Sequence, residues 1–329
     1  MKSNLDKLKL TKANPLETAS LTELKPVNDI QNFPIMVQSK IAGLNLEQWV
    51  TGNNSFCQEA MKKHGAILFR NFNINSVEDF TSFVKSLGLH AQSYTNRTSP
   101  RYSVAENVYT TTTQPKSEII HFHSENSYAQ TPPDRLIFCC IIPPKTGGET
   151  PLADNRKVLR NIPTTLKSKF ATTGVLYKRR VRDELGLGWK EIFQVESREE
   201  AEEQCRLNGI QYNWTGDILE LTWKGPAIIN HPTTGDEVWF NHAFFFNKYS
   251  YSEDFLSIID SDDDLPFSTF YGDGSNISKE EYDQIKNAYE VSRVDFPWQK
   301  GDLLMVDNYT ISHARNSYDG DRQILVSIF

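Results

Sequence analysis

His123-Ser124-Glu125 sets an imidazole and a carboxylate two residues apart, and on an extended chain residues at that spacing face the same side. One short segment can therefore offer two ligands to a single metal ion. A His-x-Glu pair is common by chance, so it carries weight only with a third ligand. His313, far along the chain and just past an expected strand, is the best placed of the remaining histidines. Two histidines and one carboxylate on one face of an octahedron leave three positions open, the arrangement of non-haem iron(II) oxygenases. A closed structural zinc site would take four protein ligands, usually including cysteine.

Two further residues suit an anionic co-substrate. Arg322 follows His313 at the start of the expected last strand, where its guanidinium can grip a carboxylate with two parallel hydrogen bonds. Thr150 closes the turn Gly147-Gly148-Glu149-Thr150 and can add a hydroxyl to the same carboxylate. Taken singly, Arg322 also fits a surface ion pair and Thr150 ordinary turn chemistry. His121 shares a face with His123 by alternation and is read as a structural neighbour rather than a ligand.

The elements that must position these groups read as mainly β. Leu136-Ile137-Phe138-Cys139-Cys140-Ile141-Ile142, ended by Pro143-Pro144, has the length and punctuation of a central buried strand. Ala66-Ile67-Leu68-Phe69, residues 303–306 and residues 323–329 are further strands. Thr233-Thr234-Gly235-Asp236 before Glu237-Val238-Trp239-Phe240 signals a hairpin. Helical periodicity runs through 45–64, with a possible break at 51–54, and through 160–174 and 198–209. Ser76 caps another helix, with Phe80, Phe83, Val84 and Leu87 on its apolar face. Many short strands with helices outside them suggest a β-sandwich or jelly roll. Residues 1–33 are polar and aperiodic and read as an arm, leaving 34–329 as a single domain.

Composition narrows the function. The net charge of −7 argues against nucleic acid as the main partner, because phosphate binding needs a basic footprint. The four cysteines form no Cys-x-x-Cys pair, so zinc-ribbon and thioredoxin-like motifs are excluded, and a reducing cytoplasmic setting is the simplest expectation. Adjacent Cys139 and Cys140 should point to opposite faces of their strand. No apolar h-region opens the chain and no stretch approaches membrane-spanning length, so neither a secretory signal nor a membrane partner is expected.

Several stretches, in order, resemble the TauD/TfdA family of iron(II)/2-oxoglutarate dioxygenases, and within it the group of clavaminate synthase and the SyrP-like amino-acid hydroxylases. They are His123-Ser124-Glu125-Asn126-Ser127-Tyr128, Gly147-Gly148-Glu149-Thr150-Pro151-Leu152-Ala153-Asp154, Glu237-Val238-Trp239-Phe240-Asn241, Tyr271-Gly272-Asp273-Gly274-Ser275, and Asp307-Asn308 through His313-Ala314-Arg315 to Arg322. The resemblance runs from about residue 34 to the last residue. It implies a distorted double-stranded β-helix with helical insertions. It implies iron(II) held by His123, Glu125 and His313, and 2-oxoglutarate held by Arg322 with Thr150, with O2 as second co-substrate. No protein acid or base is required beyond the metal centre.

Two departures matter. Many members have Asp where this chain has Glu125; the clavaminate-like group has Glu, and a carboxylate here argues against halogenation, which needs a small residue. The His313-to-Arg322 gap is shorter than in taurine dioxygenase, which leaves Arg315 as an alternative co-substrate arginine. Arg322 is favoured because Ile324, Leu325 and Val326 follow it as a strand.

The resemblance implies hydroxylation of an unactivated C–H bond of an amino acid or amino-acid-derived substrate, free or carrier-bound, in secondary metabolism. Arg97 and Arg101 are candidates for a substrate carboxylate, and Tyr109, Asn126 and Asn241 for the pocket lining. Lys178-Arg179-Arg180-Val181-Arg182 reads as a solvated strand face, with an acidic carrier protein as a possible partner. The alternatives are a desaturase or cyclase on the same iron, a zinc hydrolase, and a non-catalytic β-sandwich binding module.

Overall fold

The structure, a computed structural model, describes residues 21–27, 33–89, 102–111, 114–182 and 186–329. Two sheets form its centre. The larger runs Thr22–Pro26, Ile35–Ser39, Ala66–Arg70, Leu303–Asp307, Arg135–Ile142, Gln323–Ile328, Val108–Thr110 and Ser103–Ala105, in that spatial order. The smaller runs Arg293–Val294, Leu152–Asp154, Ile311–Arg315 and Ile120–His123. Ile35–Ser39 pairs with Ala66–Arg70 in parallel; the other pairs in these two sheets are antiparallel.

Burial on both faces explains why the central strands read as unbroken apolar runs. In Arg135–Ile142, Leu136, Phe138 and Cys140 enter the layer between the sheets beside Leu152, Ile311 and Val326. Ile137 and Cys139 point the other way, into a layer with Trp49, Phe69, Phe80 and Phe83. The two cysteines thus face opposite sides, as alternation requires. All four cysteines are free and buried, and burial raises the Cys57 thiol to about 11 and the Cys140 thiol to about 12.

The helices cover the outer faces. The segment read as 45–64 is two helices, Leu46–Gly52 and Asn54–His64, divided at Asn53. The second stops at Gly65, whose φ of 70° suits a residue without Cβ. Ser76 accepts a hydrogen bond from the Asp79 amide, capping Val77–Ser86. The 160–174 helix is a correction: Asn155–Asn161 and Thr164–Thr173 are separate, because Pro163 has no amide hydrogen to continue the ladder and disfavours helical backbone at Ile162. A second correction lies in the stretch read as an arm, where Thr22–Pro26 pairs with Ile35–Ser39 as an edge strand.

Between the strands of the smaller sheet the chain inserts a four-stranded sheet, ordered Gln211–Thr215, Ile218–Gly225, Val175–Val181 and Phe267–Tyr271. Helices Trp189–Phe193 and Arg198–Leu207 pack Ile192, Phe193, Ala201 and Cys205 against Val181, Leu219 and Leu221 of this insert. The expected hairpin forms as Ile228–Asn230 with Glu237–Trp239. Among the described residues, no helix is long and apolar enough to cross a membrane.

Candidate metal centre and its cavity

His123 ends one strand of the smaller sheet and His313 sits inside the neighbouring one, directly opposite it in register. Residues opposed in this way hold their Cβ atoms about 5 Å apart, and the two imidazole centroids lie 4.4 Å from each other. Glu125 is past the strand end, in a turn that Asn126 completes with a φ of 49°. One ligand atom from each of His123, Glu125 and His313 lies within 4.8 Å of the other two. The sequence placed His313 just past a strand; it is within one, Ile311–Arg315, whose polar residues hid the period.

The surrounding groups fix these side chains. Nδ1 of His123 donates to the His121 carbonyl at 2.8 Å, which leaves Nε2 to face a metal, and the ring stacks on Phe245 at 4.7 Å. Asn308 clamps the backbone at Glu125: its Oδ1 accepts from the Glu125 amide at 2.7 Å, and its Nδ2 donates to the carbonyls of Glu125 at 2.9 Å and Pro133 at 2.8 Å. Ser124 and Ser312 point away from the ligands. Their hydroxyls meet at 3.2 Å, and Asn155 bonds to both, at 3.0 Å and 2.5 Å, so the two ligand strands are tied together from behind. Buried polar groups with all partners in place make such a network rigid. His242 lines the cavity beside the ligands with Nδ1 bonded to Ser127 Oγ at 2.7 Å. Burial, then the neighbouring His123, hold its pKa well below the usual imidazole range, with Glu125 opposing.

The ligands open into a cavity of about 880 Å³ that also receives Thr150, Arg315 and Arg322. Arg322 donates from Nε to the Gly148 carbonyl at 2.9 Å and from an Nη to Thr150 Oγ1 at 3.4 Å. Burial, then the nearby Arg315 charge, lower its pKa to about 10, so it remains a cation at neutral pH. Arg315 is differently employed. Its terminal nitrogens donate to the carbonyls of Gln114, Pro115 and Glu118 at 2.7 to 3.0 Å, fixing a stretch of cavity wall. Thr150 Oγ1 also accepts from Trp298 Nε1 at 3.1 Å. At Gly148, with φ of 68°, a Cβ would lie 3.1 Å from Arg322 Cδ and closer still to Pro144 and Tyr318, so glycine lets the turn approach the arginine.

The remaining sequence candidates separate. Asn126 lines the cavity, and its Oδ1 accepts from the Tyr128 hydroxyl at 3.0 Å. Tyr109 and Asn241 are not among the lining residues. Tyr109 packs against the layer between the sheets, and Asn241 spends its side chain on the Ala227 carbonyl at 2.7 Å and the Ala243 amide at 2.8 Å. Arg97 and Arg101 lie outside the described residues. His121 lines the cavity and bonds through Nε2 to the Ser250 carbonyl at 3.1 Å. The basic run at 178–182 is not one exposed patch. Arg179 and Val181 face inward, while Arg180 pairs with Glu220 and Asp264, and Arg182 with Asp264. Asn308, Asn155, Ser312 and Phe245 were missed as supporting residues; Asp307-Asn308 was visible only as part of a motif.

The model of the family described as taurine catabolism dioxygenase TauD, TfdA family, matches residues 29–328. The chain belongs to the TauD/TfdA family. Among curated relatives of this TauD/TfdA chain, the dapdiamide synthesis protein DdaC of Enterobacter agglomerans is 34% identical over 82% of this chain and 83% of its own. A clavaminate synthase-like protein of Arabidopsis thaliana is 29% identical over 85% and 86%. Among solved structures, PvcB, described as an Fe, alpha-ketoglutarate dependent oxygenase from an isonitrile synthetic pathway, superposes with a TM-score of 0.57 at 14% identity, covering 100% of this chain and 94% of its own. AAD-2, solved with Mn(II) and N-oxalylglycine, superposes at 0.53 and 15% identity over 93% and 96%. This TauD/TfdA protein is an iron(II)/2-oxoglutarate-dependent dioxygenase, with O2 as its other co-substrate. The donor set fits that metal: two imidazoles and one carboxylate, with ligand atoms close enough to share one ion, line the cavity.

Proposed function

We propose that this dioxygenase hydroxylates an unactivated C–H bond of an amino acid or amino-acid-derived small molecule in secondary metabolism. The observation that carries it is the convergence of His123, Glu125 and His313 on a cavity that also holds Arg322 and Thr150. The similarity to DdaC, named for dapdiamide synthesis, supports the metabolic setting. The strand order of the two facing sheets supports a distorted double-stranded β-helix in one domain, which Thr22–Pro26 joins as an edge strand. A cytoplasmic setting fits four buried free thiols. We keep a carrier-bound substrate within this reading.

His123, Glu125 and His313 would hold iron(II), which with 2-oxoglutarate and O2 supplies the oxidising power to break the C–H bond. Arg322 would grip the far carboxylate of 2-oxoglutarate, because its donors are turned to Thr150 and the cavity while those of Arg315 are engaged on backbone carbonyls. Thr150 Oγ1 accepts from both Trp298 and Arg322, leaving its own hydroxyl hydrogen for a carboxylate oxygen. Asn308 and the Ser124–Asn155–Ser312 cluster hold the ligand strands in register during turnover. No side chain has to move a proton in this scheme.

Anaerobic titration with iron(II) and 2-oxoglutarate should give a weak visible charge-transfer band. Succinate release should then rise with a member of an amino-acid and aminoacyl-carrier panel, and the product should gain one oxygen by mass. Loss of two hydrogens would instead identify a desaturase or cyclase. Absence of the band, together with 2-oxoglutarate affinity unchanged by Glu125→Ala, would overturn the metal assignment.

A further inference from the structure

His242 stands in the cavity beside the metal ligands, and none of the roles assigned there uses it. Its ring centroid lies 6.0 Å from that of His123. The surroundings hold it in place. Its backbone amide donates to the Tyr177 hydroxyl at 3.2 Å, and Asn241 before it is bonded to the Ala227 carbonyl and the Ala243 amide. The rings of Phe246, Tyr128 and Phe245 enclose the imidazole, with centroids at 4.5, 4.9 and 5.5 Å. Enclosing an imidazole among rings costs free energy unless its nitrogens find partners.

Nδ1 has a partner, Ser127 Oγ at 2.7 Å. Ser127 is itself buried, and its hydroxyl has no second partner among the described residues. A hydrogen on Nδ1 would therefore leave the serine hydroxyl hydrogen without an acceptor. The bonding is complete when the serine donates to Nδ1, and a neutral imidazole then carries its hydrogen on Nε2. An imidazolium would carry that hydrogen as well. Nε2 meets no partner among the described residues, yet it is not one of the buried polar atoms sealed away without one. His242 lines the metal cavity, so its Nε2–H opens there. The cavity thus has a fixed donor near the metal ligands, on a different element from Arg322 and Thr150.

Resting on the proposed function, we propose that His242 binds the substrate, with Nε2–H donating to an acceptor oxygen close to the carbon oxidised at the iron. The substrate class is then an amino-acid-derived molecule that carries a carbonyl or carboxyl oxygen within a few bonds of that carbon. A side chain pinned on its other edge by Ser127 and walled by three rings gives such a contact one direction, which is what selecting a single C–H bond requires.

The test uses the full-length protein with iron(II), 2-oxoglutarate and O2. The panel is the free amino acids, their primary amides and their N-acetylcysteamine thioesters, and the probe is the member that drives succinate release most strongly. His242→Phe keeps a ring but offers no donor. It should raise the KM of the probe roughly tenfold, the scale of one hydrogen bond lost with its partner stranded, with the 2-oxoglutarate KM unchanged. Glutamine can set its amide nitrogen near the position of Nε2, so His242→Gln should recover most of that loss. His242→Asn, whose shorter amide falls nearer Nδ1, should not. A wild-type KM in the phenylalanine variant, a glutamine variant no better than the asparagine one, or a 2-oxoglutarate KM that rises in step overturns the proposal. The donor is also read without any substrate, by nitrogen NMR of isotope-labelled imidazoles with zinc(II) as the diamagnetic ion. The His242 signals, those missing from His242→Gln, should show a hydrogen on Nε2; a bare Nε2 overturns the proposal whatever the panel gives. A panel in which no member drives succinate release is a different failure, that of the hydroxylation reading.

Discussion

The two walls of the cavity are made differently. On one side, His123 and His313 are registered partners in a sheet, Asn308 clamps the backbone beside Glu125, and a serine–asparagine cluster ties the strands from behind. On the other, the insert, with the loop before its last strand, offers phenylalanines and Arg179. Metal ligands need placement within about half an ångström, which sheet register and short, fully bonded side chains supply. Substrate selection tolerates longer side chains on an added element that can vary without disturbing the metal. The difference sets a wall of registered, hydrogen-bonded strands on the β core against a wall of rings from the insert.

That division can be broken by substitution. Glu125→Ala should have the largest effect, with succinate release falling to background and iron retention lost on gel filtration; retained activity would end the assignment of this wall. Arg322→Ala should raise the 2-oxoglutarate KM by roughly 10- to 100-fold, the scale of hydrogen bonds to a charged group, with the iron content unchanged. Arg315→Ala should instead disturb the wall at 114–118, and an equal or larger KM effect there would reverse the two arginines. Asn308→Ala strands the Glu125 amide and two carbonyls. It should cost about 2–4 kcal/mol of stability by denaturant titration and weaken iron about 10-fold or more.

Smaller effects sharpen the boundary between the walls. Ser312→Ala removes one tie behind the ligands and should cost about 1 kcal/mol, with a correspondingly modest fall in iron affinity measured by chelator competition. Leu221→Ala, in the core of the insert, should lower stability by about 2–5 kcal/mol. It should have the least effect of all on the iron and 2-oxoglutarate band; a lost band would show that the two walls are not energetically separate.

Particular elements show where reading the sequence succeeds. The run at 136–142 was legible as a central strand because burial on both faces leaves no polar position to interrupt it. The cap at Ser76 and the stop at Gly65 were legible because each acts within a few residues. The strand Ile311–Arg315 was not, since Ser312, His313 and Arg315 are polar although all five of its residues are buried. Asn241 and Tyr109, named as pocket candidates, are placed away from the cavity lining: Asn241 bonds to the Ala227 carbonyl, and Tyr109 packs against the layer between the sheets.

The candidate ligand types, the order of the family motifs and the apolar runs that become the central sheet were all readable from the sequence, because each is a matter of residue identity at short range. It took the folded chain to set His313 opposite His123, to bind the terminal nitrogens of Arg315 to backbone carbonyls while Arg322 reaches Thr150, and to turn Arg179 inward. Those facts depend on strand register and on which groups compete for the same hydrogen bonds, and both are set by residues far apart in the chain.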